Sequence, residues 1–520
     1  MYAFRQSRRS SLFAVVFSLC FFLTSPANAD QDTVTLLFTN DFESAFDPIT
    51  AFWLDDIERI GGIAELATLI ERIREREPNT FLFDSGDIFT GTLSKLTRGE
   101  LPFELMITMG YDAMTIGNHE FEYGWQEFAR QKNRVPFPVL GANLFYKGTT
   151  HPFAQPYTII ERGGIRIGVI GVLGQDAATA LIPKNIAGVD VYPPGPIVTK
   201  LVQKLRPQVD LLVLLTHQGK TAPMQTDDSA RLDIQRDIAE DLALAGVVAG
   251  IDVLFAGHAD AGTRKPIVHP ETGTLIMQTY GQGTHLGFLQ IRLDQQARSI
   301  TSFEGKLLTV DSDAYPPHPG VTKKLEHYRS RFPEIYQAIG TAQRRLSRQY
   351  NRESDLGNLF ADVLRKYTGA VIGLMPSGAL RKDLPKGVLR KVDLLDAFPF
   401  EDRVAVVQLS GALLREVIEQ GLSLERGILQ VSGVVVRYDP ERPGGSRVLE
   451  ILIGGNPIED EAMYPVATVE ILAKGGDLYR QFNRASEVRL LEVTFSDLLE
   501  RFFVGGPIVQ LPERGRLIPL

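Results

Sequence analysis

The stretch YDAMTIGNHEFEYG, residues 111–124, combines two features that recur through the first half of the chain. Its apolar run 113–116 has the length and composition of a short buried strand, and the polar cluster Gly117-Asn118-His119-Glu120 follows directly. Taken alone, such a cluster is usually a turn or a capped loop. Its meaning therefore depends on how the neighbouring strands end.

Apolar runs on both sides of this stretch are separated by amphipathic or polar segments from residue 34 to about residue 310. The other strand candidates are 34–38, 81–83, 165–172, 211–215 and 253–255. This alternation is typical of an α/β layer structure with mostly buried strands. A helix is predicted over 63–76, because apolar residues recur there at helical spacing on one face.

Most of these strands end in side chains that can bind a metal ion. Besides the cluster after 113–116, the strand ends carry Thr39-Asn40-Asp41-Phe42-Glu43, Asp84-Ser85-Gly86-Asp87, Thr216-His217-Gln218-Gly219 and Gly257-His258-Ala259-Asp260. Strand ends are where α/β sheets place ligand sites. Five clusters of acids, amides and imidazoles in one domain therefore predict a metal site.

The N-terminus has the pattern of a secretory signal. Three arginines precede the apolar stretch 12–23, which is shorter than the ~20 residues needed to span a bilayer, and Ala27-Asn28-Ala29 offers a cleavage site before Asp30. We therefore expect a secreted or periplasmic protein with no stable membrane anchor after cleavage. The only cysteine, Cys20, lies inside this signal, so a metal must bind through nitrogen and oxygen.

The charge of the chain excludes one class of partner. Removing the three arginines of the signal changes the formal net charge from -8 to -8 - 3 = -11, and no basic run with interleaved aromatic residues follows Asp30. A nucleic-acid polymer is therefore not expected as a partner.

The chain is predicted to divide into a signal peptide, 1–29, a catalytic domain, 30–310, a linker, 311–345, and a substrate-binding domain, 346–520. The linker prediction rests on the chain break YPPHPG at 315–320, followed by a helical pattern over 321–331. The last part opens with a helical pattern over 356–367 and continues with alternating strands, helices and Gly-rich turns.

The order NDFE, DSGD, GNHE, THQG and GHAD resembles the metallophosphatase order DxH, GD, GNH[ED], H and GHxH. The segments ESDLGNLFADVLR, PFED, LQVSG and AKGGDLY resemble signatures of the 5'-nucleotidase C-terminal domain. Nearly the whole mature chain thus resembles the 5'-nucleotidase family of calcineurin-like metallophosphatases, of the bifunctional UDP-sugar hydrolase/5'-nucleotidase type. The resemblance implies an N-terminal four-layer α/β/β/α metallophosphatase domain plus a smaller α/β C-terminal domain, joined by a helical linker.

The resemblance also assigns roles to individual residues. It implies two divalent metal ions, one held by Asp41, Glu43, Asp87 and Asp260, the other by Asp87, Asn118, His217 and His258. His119 would stay off the metals, oriented by Glu122, and would stabilise or protonate the leaving group while a metal-bound hydroxide attacks phosphorus. Arg381 would contact the phosphate and Asp477 the ribose of a nucleotide.

Three residues depart from the family pattern. Glu43 replaces a histidine, Asp260 replaces a histidine or glutamine, and Glu122 replaces an aspartate. Two dications facing four carboxylates give +4 - 4 = 0, whereas the family pattern gives +4 - 2 = +2. This oxygen-rich first site favours manganese, magnesium or calcium over zinc.

The nucleoside site departs as well. Pro376-Ser377 stands where the family has Asn-Gly, Ile471 stands at an expected aromatic position, and no aromatic residue lies between Gly421 and Gln430. We therefore expect the family's base-stacking pair to be incomplete, with Phe398, Phe400, Tyr479 and Phe482 as candidate replacements.

The predicted function is the release of phosphate from nucleotides or related small phosphate esters. A phosphodiesterase or nucleotide-sugar hydrolase is the alternative within the fold, because a less positive metal centre penalises a monoanionic diester less than a dianionic monoester. A non-catalytic binding protein with a degenerate first metal site is the alternative outside enzyme function.

Overall fold

A computed structural model describes residues 33–51, 54, 56–219, 238–424, 427–503 and 511–520. The predicted signal peptide, 1–29, lies outside the described residues. Within the described ranges, no helix combines the length and the apolar character required to cross a bilayer.

The first half of the chain forms two six-stranded sheets. In spatial order, the first sheet consists of Ser299–Thr309, His285–Asp294, Thr33–Thr39, Thr80–Asp84, Ala113–Thr115 and Val139–Leu140. The second consists of Ile267–Val268, Leu275–Met277, Val253–Gly257, Leu211–His217, Ile165–Leu173 and Tyr157–Arg162. Five of the six predicted strands continue past their predicted ends, as at Asp84 and His217, which still pair with the neighbouring strand, whereas the strand predicted over 113–116 ends at Thr115.

The two sheets pack face to face and each carries helices on its outer face. Between the sheets the rings of Phe38 and Phe255 stack with their centroids 4.1 Å apart. The helices outside the first sheet include Ile63–Arg76, Glu100–Met109 and Trp125–Lys132, and those outside the second are Pro194–Leu205 and Ala239–Val247. The predicted α/β/β/α architecture is thereby confirmed, and the helix predicted over 63–76 has the expected bounds.

The C-terminal part is a smaller α/β unit, as predicted. Its five-stranded sheet has the order Leu429–Ser432, Ile372–Pro376, Met463–Val469, Arg403–Ser410 and Glu487–Thr494, and a four-stranded sheet follows with Asn456–Pro457, Val448–Ile453, Val434–Tyr438 and Leu517–Pro519. Its helices are Asp355–Thr368, Lys391–Ala397, Gly411–Leu422, Glu470–Ala473 and Phe495–Phe503. The first of them is capped by Ser354, whose hydroxyl accepts the Gly357 N–H.

The connection between the two parts is partly helical. The helix predicted over 321–331 is Pro319–Arg329, because proline is tolerated in the first helical turn and the His318 side chain accepts the Val321 N–H. This helix packs on the N-terminal domain through Val321, Leu325 and Tyr328. The strand Ala338–Ala342 then pairs with Gly387–Arg390 of the C-terminal part. The exact domain boundaries stay a prediction.

Shorter elements include the helix Thr92–Leu96, the 3-10 turn His119–Phe121 and the two-stranded pairs Pro48–Thr50 with Arg59–Gly61 and Leu144–Tyr146 with Val189–Val191.

Candidate metal centre

The predicted site residues all meet at one place. A cavity between the two domains is lined by Asp41, Glu43, Asp87, Asn118, His119, Glu122, His258, Asp260, Arg381 and Asp477. The remaining predicted residue, His217, is fully buried beneath it, with Nε2 3.0 Å from Asp87 Oδ2. The strand ends of the two sheets therefore converge as the sequence pattern predicts.

Asp87 is the centre of this arrangement. Two sets of three side chains bring potential metal-binding atoms within 4.8 Å of one another, and Asp87 belongs to both. One set adds His217 and His258, and the other adds Glu43 and His119. Burial raises the pKa of Asp87, but the neighbouring imidazoles of His217 and His119 outweigh it and hold the pKa below its ordinary value.

The hydrogen bonds of His217 have the pattern expected of a metal ligand. Its Nδ1 is 2.7 Å from the Ser85 carbonyl oxygen and must donate there. Its Nε2 then faces Asp87 Oδ2 at 3.0 Å and Asn118 Oδ1 at 3.1 Å. Two oxygens and a ring lone pair at such distances repel unless a proton or a cation lies between them. Metal-binding histidines usually donate the other N–H to a carbonyl or carboxylate.

The carboxylates around this point also fit a cation. Asp41 Oδ2 accepts from the Asn40 side chain at 2.7 Å and from the His258 N–H at 2.8 Å, and burial raises the pKa of Asp41 to about 7. Glu43 Oε2 is buried and has no hydrogen-bond partner among the described residues. Asp260 lines the same cavity, although it belongs to neither set of three. A divalent ion would relieve this concentration of negative charge, so the residues present fit a metal centre.

The backbone at these residues is unusual. Five of the predicted metal ligands have a left-handed conformation, with φ of 48° at Asp41, 48° at Glu43, 61° at Asp87, 74° at His258 and 50° at Asp260. Non-glycine residues adopt this region rarely, and residues that do so cluster at functional sites. The loops after the strands thus turn sharply to direct these side chains into the cavity.

Glycines allow the loops to approach one another. A Cβ on Gly117 would lie 2.2 Å from Asp87 Oδ1, and a Cβ on Gly257 would lie 2.9 Å from His217 Nδ1. Any other residue at these two positions would displace a predicted ligand.

His119 lies beside the proposed metal positions and has contacts on both ring nitrogens. Its Nδ1 is 2.8 Å from Glu122 Oε1, as the predicted orienting role requires, and its Nε2 is 3.0 Å from Arg381 Nη2. Burial lowers the pKa of His119, but Asp87 and Glu122 outweigh it and raise the pKa to about 9. Those carboxylates favour the protonated ring, whereas the contact with the guanidinium requires a lone pair on Nε2. We assign the neutral ring with its proton on Nδ1, because both hydrogen bonds need it.

Glu120 supports the site in a role that the sequence did not reveal. Its buried carboxylate accepts the backbone N–H groups of Asp87 at 2.9 Å, Ile88 at 2.8 Å and Gly117 at 2.6 Å. It therefore ties the loop carrying Asp87 to the loop carrying Asn118 and His119. Its place inside GNHE was the only available signal.

The C-terminal domain covers the cavity with fewer polar groups. Arg381 and Asp477 are joined there by side chains that were not predicted, namely Arg348, Tyr350, Ser377 and Asp402. Nothing in the sequence around Arg348 and Tyr350 distinguishes them from surface residues. The cavity encloses about 80 Å³, far less than the ~300–1,000 Å³ common for ligand pockets.

Two of the four candidate aromatic replacements are wrong. Phe398 and Phe400 line the cavity, whereas Tyr479 and Phe482 do not. Phe398, Tyr479 and Phe482 are each 1% exposed in the hydrophobic core of the C-terminal domain, but only Phe398 reaches from that core to the cavity wall. The apolar rings of Tyr479 and Phe482 are more stable packed in that core than at the polar cavity.

Comparisons with known proteins agree with this geometry. A family profile described as calcineurin-like phosphoesterase matches residues 34–259, and one described as 5'-nucleotidase, C-terminal domain, matches residues 335–484. The 5'-nucleotidase of Bos taurus is 26% identical over 515 residues, covering 85% of this chain and 83% of its own. The crystal structure of a 5'-nucleotidase precursor from Thermus thermophilus superimposes with a TM-score of 0.82 at 26% identity, covering 94% of this chain and 99% of the other.

Another relative is much longer. Endonuclease YhcR of Bacillus subtilis is 27% identical over 473 residues, which cover 86% of this chain. This chain spans only 37% of the length of YhcR.

Proposed function

This chain belongs to the 5'-nucleotidase family of calcineurin-like phosphoesterases, and on that premise we propose that it is a metal-dependent hydrolase of small phosphate esters, with nucleotides as the leading substrate class. The observation that carries the proposal is the position of Asp87, which forms one potential metal-binding group with His217 and His258 and another with Glu43 and His119. The His119 ring also contacts Glu122.

The proposed metal centre uses one set of residues for each of two divalent ions. Asp41, Glu43, Asp87 and Asp260 would hold one, and Asp87, Asn118, His217 and His258 the other. When bound, such ions supply Lewis acidity to phosphoryl oxygens and make water more acidic. The carboxylate-rich first site supports manganese, magnesium or calcium rather than zinc.

The protein's own groups would act on the ester as follows. Water forms a bond to phosphorus while the bond from phosphorus to the ester oxygen breaks, giving inorganic phosphate and an alcohol. The leaving oxygen needs a proton, and a protonated His119 can donate it from Nε2 while Glu122 Oε1 accepts from Nδ1. Arg381 can bind the phosphate oxygens through its planar guanidinium.

The volume of the cavity bears on the substrate. At about 80 Å³ the cavity between the domains is narrow. A substrate as large as a nucleotide would enter it more readily if the two domains separate or rotate about the linker.

A phosphodiesterase or nucleotide-sugar hydrolase is the second candidate. The four carboxylates proposed for the metals support it, because they would cancel the charge of two dications and so weaken the attraction for a dianion more than for a monoanion. Comparing a monoester with a diester under identical conditions separates the two candidates.

We also propose that the protein is exported, to the periplasm or beyond. The basic segment, apolar stretch and Ala27-Asn28-Ala29 site support this proposal. N-terminal sequencing of protein from its native host should begin at Asp30, and a start at Met1 on protein retained in the cytoplasm would contradict it.

The main test measures metal-restored turnover. Protein purified without chelator, then stripped, is assayed for hydrolysis of AMP, UDP-glucose, a cyclic nucleotide and bis-p-nitrophenyl phosphate with manganese, magnesium, calcium, cobalt or zinc. We expect at least one metal to restore activity in the wild type and none to restore it fully in His119→Ala. Absence of turnover with every metal would instead favour a binding protein.

A further inference from the structure

An ion pair joins the two domains across the candidate metal centre. Arg381 Nη1 of the C-terminal domain donates to Glu43 Oε1 of the N-terminal domain at 2.7 Å. The Glu43 side chain is 7% exposed and that of Arg381 is 23% exposed. The pair is therefore screened from water on most sides, which strengthens a charge-assisted hydrogen bond.

The same guanidinium covers the nitrogen that the proposed mechanism needs. Arg381 Nη2 lies 3.0 Å from His119 Nε2. Phe400 supports both groups, with its ring centroid 5.9 Å from that of His119 and 5.5 Å from Arg381 Cζ. In this arrangement His119 cannot reach the oxygen of a leaving group until the guanidinium moves.

Glutamate can make this contact, whereas the histidine of the family pattern cannot. A neutral imidazole that binds a metal through one nitrogen carries a hydrogen on the other, so it presents a donor to the donors of an arginine. Glu43 instead has two acceptor oxygens. Oε1 binds Arg381, while Oε2 has no hydrogen-bond partner among the described residues and remains available to a cation.

The pair also changes the charge that a substrate meets. Four carboxylates around two dications give a net charge of zero, and docking Arg381 against Glu43 adds one positive charge at the same point. Part of the attraction for phosphate is thereby moved from the N-terminal domain to a residue of the C-terminal domain. Substrate binding then depends on how the two domains are placed.

We propose that Glu43 is the positioning residue of Arg381: their ion pair holds the C-terminal domain over the metal centre and keeps the guanidinium on His119 Nε2 until a phosphate group draws it away. This inference rests on the proposed hydrolase function for its catalytic consequence. The domain-holding part stands on the contacts alone.

Variants that remove one side of the pair test the proposal. Glu43→Gln, Arg381→Gln and the double variant are compared with Asp396→Asn as a matched control. Asp396 also joins the domains, accepting from the Thr92 N–H at 3.1 Å and the Thr92 hydroxyl at 2.6 Å. Its other carboxylate oxygen accepts from Lys382, the neighbour of Arg381, at 3.3 Å, so the control also loses a contact between charged groups but leaves the Glu43–Arg381 pair in place. Metal content is measured for every protein.

Two readouts are used. The first is the distance distribution between spin labels on cysteines introduced at the exposed residues Glu271 and Glu441, one in each domain, which is possible because residues 30–520 contain no cysteine. It is recorded with and without metal, and with and without inorganic phosphate. The second readout is steady-state kinetics with a phosphate monoester that the wild type hydrolyses, in which KM and kcat are determined separately.

We expect each single variant of the pair to increase about tenfold the population with separated domains, relative to the population with the domains in contact. KM should also rise about tenfold. The double variant should match the singles, because either change already breaks the contact, whereas Asp396→Asn and Arg381→Gln should combine additively. Unchanged distances in metal-free Glu43→Gln, or additive effects of Glu43→Gln and Arg381→Gln, would overturn the proposal. Lack of turnover in the wild type would count against the hydrolase function only, since the distance measurement needs no catalysis.

Discussion

The two domains contribute to the site in different ways. The N-terminal domain supplies a dense set of ligating side chains, each at the end of a buried strand, and three backbone N–H donors lock the central loops onto Glu120. The C-terminal domain supplies scattered residues, of which the sequence indicated Arg381, Asp477, Phe398 and Phe400 in advance. The N-terminal domain therefore fixes the positions of its side chains closely, whereas the C-terminal domain restricts the bound ligand less.

This difference suggests where change is tolerated. Side chains at strand ends share a rigid frame, so losing one affects all of them. Loop residues on the covering domain act through the position of that domain. We therefore expect large effects from the N-terminal site and graded effects from the C-terminal one.

The largest expected effect comes from Asp87→Asn. An amide at this position cannot neutralise two cations, so metal content should fall and turnover should drop by roughly 10⁴-fold, since metal stabilisation of the reaction is worth several kcal/mol. Elemental analysis and steady-state rates measure both effects. Asp112→Asn is the control. Asp112 directly precedes the strand Ala113–Thr115, at the end away from the metal centre, and binds Arg162. Retention of both metals with near-normal rates would remove Asp87 from the centre of the site.

The next effect is that of His119→Ala. A general acid contributes ~10²–10⁴-fold, so turnover should fall by that factor while metal content stays at the wild-type value. Glu122→Gln should cost less, because it removes only the orienting charge 2.8 Å from Nδ1. If metal is lost together with activity in His119→Ala, the residue is a ligand and its separate role is wrong.

A smaller effect on stability is expected in the covering domain. Burial raises the pKa of Asp402 to about 7, and its carboxylate accepts the Ile471 N–H at 2.7 Å. The folded state thus retains a proton that the unfolded state releases near pH 4, so the stability of the wild type should fall as pH rises from about 4 to about 7.

Asp402→Asn should remove that dependence. The variant should equal the wild type near pH 4 and exceed it by up to about 4 kcal/mol in free energy of unfolding at pH 8, since one pKa unit corresponds to ~1.4 kcal/mol. Denaturant titrations at both pH values measure this difference, with the exposed Asp460→Asn as control. A variant that is less stable at pH 8 would show that the ionised carboxylate is favoured in the fold.

The smallest effect concerns base recognition. The face of Phe400 already contacts His119 and Arg381, and Ile471 lines the cavity where an aromatic partner was expected. Stacking on an aromatic ring is worth roughly 1–3 kcal/mol per base, yet Phe400→Leu should change the preference for AMP over ribose 5-phosphate by less than about threefold. A much larger loss of AMP preference would indicate that a base does stack there.

The sequence indicated which N-terminal side chains lie together, because the clusters follow one another at the ends of successive strands. Within each sheet the strands end in their clusters at the same edge, and the two sheets pack so that these edges meet, which places Asp41 and Asp87 of the first sheet beside His217 of the second. Propensity also worked where local signals agree, as in the helix Ile63–Arg76. The residue roles inferred from the resemblance stay predictions.

What escaped prediction depends on contacts between distant parts of the chain. Glu43 and Arg381 are 338 positions apart, and nothing in either local sequence indicates the other. Tyr479 and Phe482 look like exposed stacking residues beside a Gly-rich turn, and only the packing of the domain shows that they belong to its core. The start of the helix at Pro319 was missed because a proline usually indicates that a helix cannot continue, and the sequence alone does not show that this proline lies in the first turn.

The left-handed backbone at five proposed ligands has a consequence for anyone engineering this protein. Each such residue is strained by up to about 1–2 kcal/mol relative to glycine, so glycine at position 41, 43, 87, 258 or 260 would tend to raise the melting temperature. A screen that selects on heat resistance alone would accumulate these changes and return a hardier protein without a metal centre. Thermostability and activity must therefore be selected together, because the residues at these positions lower stability and are the proposed metal ligands.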